Sequence, residues 1–582
     1  MPLSKTKKRI VILLSVVVVI IIGVILSLNL IIASVIRAKL NAELEKNKTG
    51  YTITLGGVGG NIFFGNIRLK DIIIKPDTSL VQALVDGKAG SGIGIDAEIP
   101  LIRLTGFGIA RALLDQEIRI GKLQIRRAKV KLLKGRPSEK PEMDTAVKPA
   151  SMRADSIHLD NVSGFSLRII DLTDIDLEVI DLIKDEKVFE NIFSELRLTG
   201  IAVEKYPGDS DLYYLATESL KLEIFDEEMI LPGGDYELKF DDFSIRMVDS
   251  TLVIDNLELK PTDDRFTIAA KYKFTREIFD LSVEQISVHS INIARLVHEG
   301  DIFIDSLNIR GMMMDILKDK LRPFDESKRP KLINQALREM DIPLYIGKVN
   351  ILESYLIYQE REEGATELMT VTLGDLNVEA DFITSVRDST RTGKPMKLGL
   401  NARLMETALL QAEFVMPLNS RVDTFFFVGS LGPAKLSVFN TATLPATGAK
   451  FNRGELHSLT FKGRGNRTQS IGEMTMLYDN LEGEVMQKDQ KTTNRFLSWA
   501  ANAVMRSSNP GNNGKVRVAL VGFDRVMYKG FGNFMWKSLQ TGIVNTISPT
   551  GKLVKKEVPE ADEKKEDANS NDRKQRRRRN RQ

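Results

Sequence analysis

Residues 118–132 read I-R-I-G-K-L-Q-I-R-R-A-K-V-K-L. Ile118 and Ile120 alternate with polar neighbours, Gly121 and Lys122 interrupt, and alternation resumes at Leu123 and Ile125 before Val130 and Leu132. A period of two marks a half-buried strand. In a straight strand the two-residue step would carry the apolar side chains to the other face. Gly121-Lys122 is therefore either a bulge that restores the face or the turn of a short hairpin, and the bulge is the preferred reading. The same spacing starts at Ile67, Ile170, Leu196, Leu238, Leu252, Leu281, Ile302, Leu344 and Val371, with spacers such as Asp255-Asn256, Asp305-Ser306 and Gly347-Lys348. At 42% apolar composition roughly 15 such matches arise by chance, but requiring polar residues at every intervening position lowers that to about 2. The copies starting at Ile118, Ile170, Leu238, Leu281 and Val371 pass the stricter test, so the repeat carries weight as a series.

A strand pattern spread over 582 residues favours one elongated sheet, each strand touching only its neighbours, over several compact domains. The net charge of +4 argues against a polyanion binder, and no nucleic-acid partner is expected. With no cysteine, disulfides, thiolate catalysis and cysteine-ligated zinc are excluded. Residues 10–36 carry no charged side chain, a run longer than the ~20 residues a membrane-spanning helix needs. Lys5, Lys7, Lys8 and Arg9 precede it, whereas Arg37, Lys39, Lys46 and Lys48 follow mixed with Glu43 and Glu45, which places the amino terminus inside. The run is too long for a signal-peptide core and lacks a small-x-small site behind it, so it reads as an uncleaved anchor.

After a polar helix at 37–48, residues 51–55 alternate as a strand, and the glycine-rich residues 56–61 read as a turn, since no helix-opening G-K-[ST] follows. Residues 63–133 then read as strand, strand, short helix and long strand, with L-I-R-L-T-G-F-G-I-A-R-A-L-L at 101–114 as the helix. An anchor, then G-N-I-R-L-K-D-I-I-I-K at 65–75, a short helix and the stretch at 118–132 together resemble the amino-terminal module of AsmA-like proteins, which belong with the bridge-like lipid-transfer proteins built from repeating β-groove units. Residues 454–485, opening Gly454-Glu455-Leu456 and containing G-E-M-T-M-L-Y-D-N-L-E-G-E-V at 472–485, are similar to that family's closing strands. The resemblance covers both ends and leaves the middle as strand periodicity alone. It implies a bacterial inner-membrane anchor, a periplasmic body and phospholipid as cargo.

The expected organisation is a cytoplasmic stub at 1–9, a transmembrane helix at 10–36, an amino-terminal module at 37–135, an exposed loop at 136–150 with Pro137, Pro141 and Pro149, and a repeating β-groove at 151–490. Within it, Pro330 precedes a helical stripe of Leu332, Ile333, Ala336, Leu337 and Met340, read as a helix packed on the sheet. Residues 491–550 supply a helix bearing Phe496, Leu497, Trp499, Ala500, Ala503 and Val504, a strand pair at 515–528, and a second amphipathic helix. Residues 551–582 form a disordered basic tail ending R-R-R-R-N-R-Q.

His158, His289, His298 and His457 lie far apart without the i+3 or i+4 spacing of a metal pair. The carboxylates gather at spacers and outward positions such as Asp171, Asp174 and Asp176, where a solvated face explains them. No G-x-S-x-G occurs, and the chain is read as a non-enzyme without cofactor or metal. The fold expected is mainly β, an elongated repeating groove with an apolar concave and a polar convex face, about 25 strands at ~4.8 Å making roughly 120 Å. Ile118, Ile120, Leu123, Ile125, Leu281, Val283, Ile286 and Val288 are the expected lining. Phe534, Met535, Trp536, Leu539, Ile543 and Ile547 are the candidate membrane-interface residues, with capping of the sheet as the equal alternative. The expected function is passive phospholipid transport between inner and outer membrane, the second contact being the outer membrane or one of its proteins. The rivals are a structural assembly factor for outer-membrane β-proteins and, more distantly, an enzyme acting on envelope polymers.

Overall fold

The computed structural model describes residues 50–61, 65–89, 92–108, 111, 117–136, 164–205, 213–216, 220–292, 295–296, 300–386, 393–485 and 505–554. The anchor at 10–36, the polar helix at 37–48, nearly all of the loop at 136–150, the helix at 496–504 and the tail from 555 onward lie outside these residues. Among the described residues no helix is long and apolar enough to cross a membrane.

β1 (Tyr51–Asn61) and β2 (Asn66–Pro76) pair antiparallel, α1 (Thr78–Val85) follows, and β3 (Ile93–Thr105) joins β2. β4 (Glu117–Arg126) and β5 (Lys129–Lys134) lie end to end, sharing β3 on one side and running parallel to β6 (Gly164–Asp181) on the other. β7 (Glu186–Lys205) pairs with β6 and is shared in turn by β8 (Tyr213–Ala216) and β9 (Lys221–Ile230). An antiparallel meander continues through β10 (Tyr236–Arg246), β11 (Thr251–Pro261), α2 (Arg265–Ala270), β12 (Glu277–His289) and β13 (Ile302–Asp319). The connection bearing α3 (Ile333–Arg338) then returns the chain so that β14 (Leu344–Arg361) runs parallel to β13. β15 (Met369–Thr384), β16 (Met396–Leu404), β17 (Ala408–Met416) and β18 (Phe425–Leu431) resume the meander. β19 (Ala434–Lys435), α4 (Asn440–Thr447), β20 (Ala449–Gly465), β21 (Gln469–Val485) and β22 (Ala519–Asp524) complete the sheet, and α5 (Phe531–Ile547) packs on β21 and β22.

All 22 strands among the described residues thus belong to one elongated mixed sheet, each paired with its near neighbours in sequence. Roughly nineteen strand positions at ~4.8 Å give a length on the order of 90 Å along the sheet. That is shorter than expected because the strands are long, 20 residues in β7 and 18 in β6, β13 and β14.

The two-residue step is a kink shared between strands. β4 runs unbroken through Gly121-Lys122, which excludes the hairpin, and Ile118, Ile120, Leu123 and Ile125 are all buried. Yet Ile120 pairs with Leu167 and Lys122 with Ile169, so β6 makes the same step at Arg168 and stays in register. β7 makes it opposite, at Gly200, where φ is 76°. A longer seam of this kind crosses most of the sheet, through Asp71, Pro100, Arg127, Asp174, Ser194, Asp226, Asp241, Asn256, Glu284, Gly311 and Glu353. Asp71, Arg127, Asp174, Asp226, Asn256, Gly311 and Glu353 are left-handed. Along antiparallel neighbours from β2 to β13, left-handed and ordinary residues alternate. Across the parallel pairings, Arg127 beside Asp174 and Gly311 beside Glu353, both are left-handed. Asp and Asn tolerate this conformation, which gives the acidic spacers a backbone role beyond solvation. Gly311 has φ 63°, and a Cβ there would lie 2.3 Å from Cδ of the exposed Glu284 side chain, which can swing away. Gly311→Ala is therefore expected to cost about 1–2 kcal/mol from backbone strain alone, read as a lower urea midpoint.

Three local expectations are corrected. Residues 101–105 end β3 instead of starting a helix, because Ile102 and Leu104 alternate into the core at 1% and 0% exposure. The helix of this module lies earlier, at Thr78–Val85, where Asp77 accepts the Leu80 N–H at 2.8 Å as its cap. The strand pair expected at 515–528 is a single strand, Ala519–Asp524. Asp171 is not a solvated carboxylate: it is 7% exposed, accepts from Arg197 at 2.9 Å and pairs with Lys122, cations that hold its carboxyl below the usual range against the cost of burial. The helix following Pro330 does pack on the sheet, burying Leu337 and the preceding Leu332, and Asp423 ties its Arg338 to Arg467 in the turn between β20 and β21.

Candidate functional site

One face of the sheet is apolar from end to end, and its exposure divides it into three segments. In the first, side chains from β2 to β10 form one buried cluster in which Ile67, Ile102, Leu104, Ile120, Leu123 and Leu167 are at most 2% exposed. This interior is filled by its own side chains. It also holds one carboxyl: Glu227, 1% exposed, accepts the Ser194 N–H at 2.6 Å and Asn191 Nδ2 at 3.0 Å. Burial pushes that carboxyl up to about 7.

In the third segment the apolar face is covered. Phe534, Met535 and Ile547 of α5 and Leu332 and Leu337 from the α3 connection pack against Phe425, Phe427, Phe461 and Met474. Phe425 makes edge-on ring contacts with Phe531 and Phe534, with centroids 5.3 and 6.0 Å apart.

Between them lies a half-open trough. Val283, Met312, Leu376 and Ala402 are buried at its floor, and Leu257, Leu281, Ile286, Ile309, Met314, Ile351, Leu356, Leu373, Val378 and Leu400 remain partly exposed around it. These residues come from β11 to β16, and Leu252 and Ile254 of β11 join the stripe to the amino-terminal core. The local cause is the doublet spacing: Leu257 pairs with Val283 and Val283 with Met312, so apolar residues on three strands line up across the seam. α2 lies on the opposite face, burying Ile268 and Ala269 against Ile278, whose neighbours Leu281 and Val283 face the trough. The surface offers dispersion contact without hydrogen-bond direction, apart from Ser354, whose Oγ is already engaged by the Met312 N–H at 3.2 Å.

The sequence-predicted lining is thus split. Leu281, Val283 and Ile286 belong to the trough, while Val288 packs beside it with Ile291 and Ile304. Ile118, Ile120, Leu123 and Ile125 are 5%, 2%, 0% and 6% exposed within the filled interior and do not line an open groove in this structure. Ile309, Met312, Met314, Leu356 and Leu376 were missed as lining, although the copies starting at Ile302 and Val371 contain Ile309 and Leu376. Among the candidate membrane-interface residues, Phe534, Met535, Leu539, Ile543 and Ile547 pack on the sheet, which is the capping arrangement, and only Trp536, 49% exposed, stands clear.

The opposite face of the sheet is polar. Between β15 and β21 the polar face carries a shallow depression of about 800 Å³, bordered by Glu379, Lys397, Asn401, Glu413, Lys462 and Glu473. Lys462 and Glu473 pair there at 2.8 Å, and Asn401 accepts from Gln411 at 3.1 Å. Cross-strand pairing of this kind is what a solvated sheet face does with its charges.

No protein-family model matches this chain, and no curated protein sequence matches it.

Proposed function

We propose that the chain is a membrane-anchored conduit that holds phospholipid acyl chains along its apolar sheet face and passes them passively between two membranes. The observation that carries this reading is the half-exposed apolar stripe of the trough. Leu, Ile, Val and Met side chains of this face that stay partly exposed among the described residues leave apolar area in contact with water. Exposing a 16-carbon acyl chain to water costs on the order of 12 kcal/mol at ~0.8 per CH₂, so such a surface lowers the barrier to moving a lipid through water. Methionines such as Met312 and Met314 suit chains that slide and change contacts. The chain has no phosphate-binding G-K-[ST] loop, so directionality is assigned to a partner or a gradient. The resemblance to AsmA-like proteins supplies the inner membrane, the periplasm and the outer membrane as the setting of this proposal.

The filled amino-terminal interior defines what the proposal requires. Lipid loads where the face is half-open, and the packed side chains of β2 to β10 must part before it can travel toward the anchor. The test is native mass spectrometry of detergent-extracted, full-length protein. Wild type is expected to carry phospholipid, and Ile309→Asp or Leu356→Asp to lose most of it while remaining folded, since a carboxylate interrupts the apolar path and is costly to desolvate. Lipid retained equally by both variants would retire the trough.

A second reading, an assembly factor that templates β-strands, draws on one observation. The outer edge of β1, 11 residues long, has no partner strand among the described residues. Crosslinks from that edge to nascent outer-membrane barrels would favour it.

A further inference from the structure

At one end the trough changes chemistry. On β13 the inward side chains Met312, Met314 and Ile316 are followed, at the same alternation, by Lys318 and Lys320. On β14 the corresponding series is Leu356, Tyr358, Glu360 and Glu362. Lys318 pairs with Glu277 at 2.5 Å, and Lys320 takes both Glu360 and Glu362. Two further lysines come toward the same place from the carboxy-terminal cap: Lys529, just before α5, which shares the Phe324 ring with Lys318 at 4.3 and 5.7 Å, and Lys537 on α5, which lies within electrostatic reach of Lys320. Neither has a carboxylate partner among the described residues. Lys537 donates to Gln540 at 2.9 Å, and Lys529 lies over the Phe324 ring at 4.3 Å.

The four lysines therefore face three carboxylates, all of which are taken up by Lys318 and Lys320. Both unpaired lysines are half-buried, and burial, with repulsion from Lys320, holds each below the usual lysine range. Four cations against three carboxylates leave a positive charge in excess in a partly dry site, which destabilises the fold, and such arrangements mark sites kept for a ligand. The stripe from Ile309 to Ile316 runs roughly 23 Å along β13 at ~3.3 Å per residue, a span suited to an extended acyl chain.

We propose that Lys529 and Lys537, with Lys320 and Lys318, form a binding site for a phosphate monoester or diester at the end of the trough. Resting on the lipid reading above, the inference assigns a polarity to the cargo: acyl chains lie on the Ile309 and Leu356 stripe and the phosphate sits between β13 and α5. The site selects anionic phospholipid over neutral diacylglycerol, and the basic end fixes which way the lipid enters.

The test uses the full-length protein in nonionic detergent, titrated with dioctanoyl phosphatidate, dioctanoylglycerol and inorganic phosphate. Phosphatidate is expected to bind about tenfold tighter than the diacylglycerol, a margin of ~1.4 kcal/mol. Lys529→Gln with Lys537→Gln removes that margin without changing diacylglycerol affinity. Ile309→Asp weakens both lipids. A second readout is independent of binding: Lys537→Met raises the unfolding midpoint of ligand-free protein, because it removes a destabilised buried cation. Inorganic phosphate that binds and is lost in the lysine variants, with neither lipid binding, would support the anion site and overturn the acyl-chain reading. Equal affinities for phosphatidate and diacylglycerol would overturn the phosphate site and leave the lipid trough standing. No binding of any of the three overturns both.

Discussion

Leu123→Asp is expected to unfold the amino-terminal part of the sheet, while Leu281→Asp, made in the same sequence pattern, leaves the chain folded. Leu123 is 0% exposed and sits in the cluster shared by β2 to β10. Removing its isobutyl group alone costs about 2–5 kcal/mol in a packed core. An unpaired carboxylate adds several kcal/mol more, or takes up a proton to avoid ionising. Each strand of this sheet leans on its neighbours, so the loss spreads from β4 to β3 and β6 without reaching the separate cluster around α5. Leu281 is partly exposed, and a carboxylate there reaches water at the open side. Hydrogen exchange read strand by strand separates the two variants. In Leu123→Asp, β3 to β7 should lose protection while β20 to β22 keep it; in Leu281→Asp all of them should stay protected. Wild-type protection of β3 and β6 in Leu123→Asp would mean that the interior described as filled is open to water.

That contrast also shows what the sequence carries and what it does not. Lys70-Asp71, Thr173-Asp174 and Asp255-Asn256 are legible as interruptions of a period-two pattern because a kinked strand must still keep its apolar residues on one side, and all three sit at the seam. Their chemistry is local: a left-handed residue tolerates Asp, Asn or Gly better than a branched side chain. Whether Ile120 lies under other side chains or faces an open trough is set by curvature and by helices distant in sequence. Ile120 and Leu281 therefore carry the same pattern and have different exposures. The amphipathic stripe of Phe534, Leu539 and Ile547 is likewise the same whether a bilayer or Phe425 and Met474 covers it. The misread at 101–105 has another origin, since a short apolar run such as L-I-R-L fits either period until β2 is there to pair with it. The lysine cluster was out of reach altogether, because β13 and α5 meet only in the fold.

Glu227→Gln is expected to remove a pH dependence worth about 3 kcal/mol from the stability of the wild-type chain. The carboxyl sits opposite Phe240 in the filled interior, next to the left-handed Asp226 of the seam. Its hydrogen bonds from Ser194 and Asn191 favour the charged form, but burial outweighs them and the folded group keeps its proton up to about 7, against 4.5 when unfolded. Between those two values the folded chain binds more protons than the unfolded one, so rising pH drains stability across that window. Below it both states are protonated and the wild type is at its best; above about 7 the loss is complete and the curve is flat. Glutamine has the same shape, can accept the Ser194 N–H and let the Asn191 amide flip to accept its own, and does not titrate. The difference between variant and wild-type stability should therefore grow from about pH 4.5 to pH 7 and stay constant beyond, with every other titrating group cancelling in the subtraction. Urea unfolding at a series of pH values, followed by amide protection in β7, β9 and β10, reads this difference directly. A constant offset between the two chains across the whole range would place an ionised carboxylate inside the closed segment, and with it enough water to make that interior a wet channel.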